Sequence, residues 1–185
     1  MRRPIIVLLV ITGPLAAKVI SDASAPESLC GHTYTLPPTV DAPDSVGPLP
    51  LRSSLVYLRR SCPGARDTTS GFYLRAFGSV IEVVGDQPVL GDSADRVVGL
   101  IRVSGGRRIR TREGIGPGST LREAKRAWDT LEVVGCAAGV EYAYVPQRPG
   151  LGLRFGDVCP RAARELTTYP DSVAIRAVEI FTPVD

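Results

Sequence analysis

Four cysteines, one histidine and a cluster of loop aspartates are the residues of this chain whose types could support covalent or metal chemistry. Cys30, Cys62, Cys136 and Cys159 are even in number and no two of them have C-x-x-C spacing, so they read as two disulfides rather than a redox or zinc site. Three connectivities are open, and proximity in the sequence favours Cys30 with Cys62 and Cys136 with Cys159. The single histidine, His32, stands two residues beyond Cys30 in a proline-rich stretch. It leaves a zinc cluster short of ligands, and a serine hydrolase would need a base and a Gly-x-Ser-x-Gly elbow that the chain does not offer. Asp86, Asp92 and Asp95 fall within Gly85–Asp95, where glycine and proline mark two turns, and they lack the spacing of an EF-hand. The run Gly114-Ile115-Gly116-Pro117-Gly118-Ser119-Thr120 could present amides to a phosphate, but it lacks the Gly-Lys-Ser/Thr ending of a phosphate loop, and Pro117 fits a fixed turn. The expectation is therefore no catalytic residue, no cofactor and no metal.

Charge supplies the other chemical candidate. The chain has a formal net charge of +3. A leader of residues 1–21 takes Arg2, Arg3 and Lys18 from the 22 basic residues and nothing from the 19 acidic ones, leaving 19 against 19. A globally basic nucleic-acid binder is not what such a chain suggests. Between Arg102 and Arg126, however, eight basic residues stand against Glu113 and Glu123. If this stretch is a strand, Arg108, Arg110 and Arg112 share one face while Ile109 and Thr111 share the other. Three guanidiniums in a row would suit an acidic protein or an anionic envelope component.

The elements that must position these groups begin after the leader. Arg2 and Arg3 precede an uncharged run of 14 residues, Pro4–Ala17, which is too short to span a bilayer and reads as a signal peptide cleaved after Ala17 or after Ser21. The mature protein is expected to be exported, periplasmic or extracellular, without a stable membrane span. Residues 22–50 hold six prolines and read as an extended arm or linker. Residues 51–105 and 106–185 then look like two divergent copies of one unit. Ser53–Arg60 aligns without a gap to Ser119–Arg126, each a capped short helix, and Thr120-Leu121-Arg122-Glu123 has the pattern of a capping box. Strands are expected over Phe72–Ala76, Val80–Val84 and Val97–Val103 in the first copy, and over Val140–Val145, Leu151–Phe155 and Ile175–Phe181 in the second. A short helix is expected from Pro160 to about Leu166. The fold class is α+β, two helix-plus-antiparallel-sheet repeats packed as one layered body, with Leu121 and Trp128 buried.

This order resembles the tandem-repeat fold of the β-lactamase inhibitory protein and the single-unit BamE/OmlA outer-membrane assembly lipoproteins. The resemblance is carried by pattern over about residues 46–182 and by Thr111–Leu121, a glycine turn delivering a capped helix. It implies an exported tandem α+β body and brings no residue roles with it. Cys30 follows Glu27-Ser28-Leu29 rather than a lipobox, so the lipid anchor of the lipoproteins is not implied.

Function is expected to be that of a non-catalytic binding module, engaging a protein or envelope component through the basic segment or through a sheet face bearing aromatics such as Tyr142 and Tyr144. The alternative is a cell-envelope hydrolase whose catalytic residues the sequence does not mark. A pocket of convergent polar groups would favour the hydrolase, and a broad exposed face the binding module.

Overall fold

The computed structural model describes residues 27–42, 44–86, 96–137, 140–156 and 170–183. The proline-rich arm is more structured than its composition suggests. Strands β1 (Glu27–Leu29) and β2 (His32–Tyr34) form a hairpin. Its two-residue turn, Cys30–Gly31, has φ of 49° and 80°, the left-handed pair that matches the twist of antiparallel strands. Strands β3 (Thr39–Asp41), β4 (Ser45–Val46) and β5 (Leu49–Pro50) make a small antiparallel run, and Pro50 is tolerated because β5 lies at its edge. Leu29, Val40, Val46 and Leu49 are all buried, so the arm adds to the core instead of trailing from it.

The main body is one eight-stranded sheet. Helix α1 (Leu55–Ser61) precedes β6 (Arg66–Asp67), β7 (Gly71–Ala76), β8 (Ser79–Gly85) and β9 (Val98–Ser104). After β10 (Arg110–Thr111), helix α2 (Leu121–Ala127) precedes β11 (Glu132–Ala137), β12 (Val140–Tyr144), β13 (Leu151–Arg154) and β14 (Ala177–Phe181). The sheet runs β11-β12-β13-β14-β9-β8-β7-β6, antiparallel throughout, so the last strand of each half meets the other at the middle. Strand β10 lies outside this sheet and pairs parallel with β3 of the arm. Helix content is low: two helices of seven residues among the described residues.

Both helices start where side-chain caps dictate. The Ser54 hydroxyl accepts from the Tyr57 amide. Thr120 accepts from the Glu123 amide while the Glu123 carboxylate accepts from the Thr120 amide, the reciprocal box expected from the sequence. These bonds hold the Glu123 carboxyl below its usual range. Each cap residue also forms a bridge to the segment just ahead of its half's final strand, Ser54 to Val97 and Thr120 to Ala174.

Strand periodicity then divides the sheet. Phe72, Leu74, Ile81, Val83, Ile101, Val103, Ala143, Leu151, Leu153, Val178 and Ile180 alternate onto one face. They form one core with Leu58 of α1, with Leu121 and Ala124 of α2, and with Trp128. Leu121 and Trp128 are buried as expected. Two strands, β6 and β11, were not foreseen from the sequence, giving four strands per half where three were expected. The helix expected from Pro160 lies outside the described residues.

Candidate binding face

The other face of the sheet is built from the alternate residues. Register places them in three rows across the strands, because directly opposed residues of an antiparallel ladder share a face. The longest row runs Glu132, Tyr144, Gly152, Glu179, Arg102, Glu82, Tyr73 and Arg66. A second holds Tyr142, Arg154, Ala177, Ser104, Val80 and Arg75. A third holds Phe181, Leu100 and Val84. Tyr73, Leu100, Tyr142, Tyr144 and Phe181 are each half-buried, and Glu132, Arg66 and Arg75 are exposed.

A charged cluster occupies the centre. Glu179 is 1% exposed. Its carboxylate accepts from Arg102 Nε and, at 2.6 Å, from the Tyr142 hydroxyl, and Arg154 stands 3.8 Å away. Arg102 also donates to Glu82. Burial works against the Arg102 charge, yet the hydrogen bond to Glu179 and the fields of Glu179 and Glu82 outweigh it and hold the guanidinium above its ordinary value. Burial, reinforced by the bond to Glu179 and its charge, pushes the Tyr142 phenol up to about 12. Such a group keeps its proton at neutral pH and is a poor base or nucleophile, and the carboxylate beside it has both oxygens engaged. The cluster is built to stay charged and fixed.

Around it lies an aromatic rim. The Tyr142 and Tyr144 rings stack 6.3 Å apart, and Tyr144 meets Phe181 edge-on at 5.3 Å. A Cβ at Gly152 would stand 3.4 Å from Phe181, 3.7 Å from Tyr142 and 3.8 Å from Tyr144, so the three rings pack over a buried glycine. The two tyrosines were read from the sequence as face aromatics. Glu82, Arg102, Gly152, Arg154, Glu179 and Phe181 were not. Parity could have found two of them: Arg102 and Glu179 interrupt apolar strands at the positions that alternate away from the core.

The basic segment is placed differently from what its charge suggests. Ile109 and Thr111 are buried and Arg108, Arg110 and Arg112 alternate outward, as expected, although the strand itself is only two residues long. Arg108 pairs with Glu27 and lies 5.5 Å over the Phe77 ring. Phe77, at φ 53° in the β7–β8 turn, is further held by its amide donating to Glu27 at 2.6 Å and by Tyr34 meeting its ring edge-on. Arg110 bolts the glycine loop, donating to the Arg107 and Gly114 carbonyls and to the Ser119 hydroxyl. That hydroxyl accepts from the Gly116 amide, and Thr111 accepts from Ile115, so the loop's amides are spent on its own turn. Arg112 is 71% exposed and reaches Asp41 at 3.4 Å.

The remaining candidates sort quickly. Cys30 and Cys62 form a disulfide that ties the arm's hairpin to the end of α1, while the expected Cys136–Cys159 bond lies outside the described residues. His32 is exposed on β2. Asp86 packs its carboxylate over Gly99, where a Cβ would fall 1.7 Å from an Asp86 oxygen, and Asp92 and Asp95 lie outside the described residues. Among the described residues no group of three metal-ligating side chains gathers, and no helix is long and apolar enough to cross a membrane. A cavity of about 530 Å³ is lined by the disulfide, Gly31, Gly64 and the β7 edge at Tyr73–Arg75, with no carboxylate or histidine among the described residues that line it. No protein-family model, characterised relative or solved structure matches this chain.

Proposed function

We propose that this chain is an exported, non-catalytic binding module, two divergent copies of one helix-plus-antiparallel-sheet unit, whose open sheet face receives a protein partner. The observation that carries the reading is the aromatic rim of Tyr142, Tyr144 and Phe181 around a saturated charged centre. Half-exposed rings offer large contact area at low entropic cost, and a carboxylate with its bonds already made holds the rings in place instead of reacting.

Duplication is supported by the shared order of helix and four strands and by the equivalent bridges from each helix cap to its final strand. Aligning those bridges places Arg102 where the other copy has Glu179, so the charged pair sits on the pseudo-two-fold axis of the sheet. Export is supported by the Cys30–Cys62 disulfide, a bond that persists outside reducing compartments. Of the three arginines considered for partner binding, Arg108 and Arg110 serve the fold, and Arg112 is left to steer an acidic protein or an anionic envelope component.

The test is capture of a partner from an envelope extract by the purified mature protein, compared with a Tyr144→Ser/Phe181→Ser variant. Loss of the captured band with the melting temperature retained is expected. Equal capture by both proteins would remove the open face from the reading.

A further inference from the structure

We infer that the partner received by the open face is a second copy of this chain, docked sheet to sheet about a two-fold axis that runs along the β9–β14 seam. The inference rests on the open face being the binding face and adds the identity of what covers it.

The argument is the order of residues along the rows. A two-fold axis parallel to the central seam brings each position of a row against the position equally far from the seam on the other side. In the longest row Arg66 then faces the partner's Glu132, and Tyr73 faces the partner's Tyr144. Glu82, already paired with Arg102, faces the rings packed over the partner's Gly152. In the second row Arg75 faces the partner's Tyr142, a cation over a ring. In the third, Leu100 faces the partner's Phe181. Every contact occurs twice, opposite charges meet at both edges, and Tyr73 with Tyr144 and Leu100 with Phe181 meet between them. An axis across the strands would instead set Glu82 on Glu82 and Arg102 on Arg102, which the row forbids on charge. Like charges face one another in one arrangement and opposite charges in the other, so the sequence of the face selects its own partner geometry.

The size is sufficient. The three rows hold eight, six and three residues, and at about 33 Å² per position they present roughly 550 Å² per copy, about 1,100 Å² in all, above the roughly 1,000 Å² that a specific interface needs. The centre is already desolvated and paired, since Glu179 is buried and Arg102 is held between two carboxylates, so closing the face strands no charge at its centre.

Sedimentation equilibrium of the purified mature protein at micromolar concentrations, with the exchanged-charge pair Arg66→Glu and Glu132→Arg, decides it. Both positions are exposed on edge strands, so the variants are expected to melt as the wild type does. The wild type is expected to dimerise, each single variant to weaken the dimer by about tenfold or more, and the double variant to recover most of that loss. A double variant no better than the singles overturns the docking geometry. A monomeric wild type that still captures a foreign protein through Tyr144 and Phe181 overturns the second copy and leaves the binding face intact, whereas one that neither dimerises nor captures through this face removes both.

Discussion

On the face that meets the helices, Ile81, Val83, Ile101 and Val103 are fully buried, and their strand neighbours on the other face are Glu82, Leu100, Arg102 and Ser104, partly exposed and largely polar. One alternation of residues serves both faces, yet each obeys a different constraint. The inner face has to exclude water and fit without voids. The outer face has to stay ordered in water, and it does so by locking a carboxylate between arginines and a tyrosine and ringing it with aromatics, which on the proposed function are what a partner meets. Stability and recognition are therefore separable by parity along the same strands, and substitutions on the two faces should part company.

Ile180→Ala should cost about 3 to 5 kcal/mol, measured by denaturant unfolding, because a fully buried side chain in the central strand leaves a cavity behind. Its sheet neighbour on the outer face supplies the next largest effect. Glu179→Gln keeps the shape but removes the charge that Arg102 and Tyr142 address, and a loss of about 2 to 3 kcal/mol is expected from hydrogen bonds to a buried ion. A loss under about 0.5 kcal/mol would mean that the central cluster contributes nothing to order on the outer face.

Away from the sheet, Arg110→Ser should destabilise by about 1 to 2 kcal/mol, since the bolt across the glycine loop is lost, while Arg112→Ser should leave thermal melting unchanged. Equal effects at the two positions would contradict the division of the basic segment into arginines that bolt the fold and one that makes only an exposed ion pair with Asp41.

The remaining effect is one of pH. The Tyr142 phenol is raised from 10.0 to about 12 in the folded protein. A raised folded value means that the stabilisation is fully present below pH 10 and is lost as pH climbs from 10 towards 12. Melting temperatures across that window should fall more steeply for the wild type than for Tyr142→Phe, which has no phenol to titrate. Parallel curves would place Tyr142 outside the central cluster.

How much of this was legible follows from the range of each signal. Caps act within one turn, so Ser54 and Thr120 announced both helices to within two residues, and the strict alternation of β7, β8 and β9 announced strands. Strand β6 is two residues long, too short to show a period, and β11 is an apolar run without alternation, set off from the next only by Ala138-Gly139 in the sequence. The arm's prolines argued for irregular chain, but Pro48 sits in a turn and Pro50 on an edge strand, where the missing amide costs nothing, and the arm's apolar residues Leu29, Val40, Val46 and Leu49 are what the core received. The central cluster escaped because Glu82, Arg102, Arg154 and Glu179 come from four strands and are joined only by register, which no local pattern specifies. The arginines of the basic segment were legible as an alternating row, but their partners, Glu27 in the arm and the glycine loop's own carbonyls, were settled by tertiary contact.

A photo-crosslinking amino acid placed singly at position 144, 181, 112 or 56 of the chain reads the difference between the surfaces in one experiment. Tyr144 and Phe181 lie on the outer sheet face, Arg112 in the basic segment, and Val56 exposed on α1, on the helix side of the sheet. Irradiation should give a discrete protein adduct from positions 144 and 181 and none from 56. Adducts from 56 or 112 alone, with 144 and 181 silent, would show that the open face is not where this protein binds.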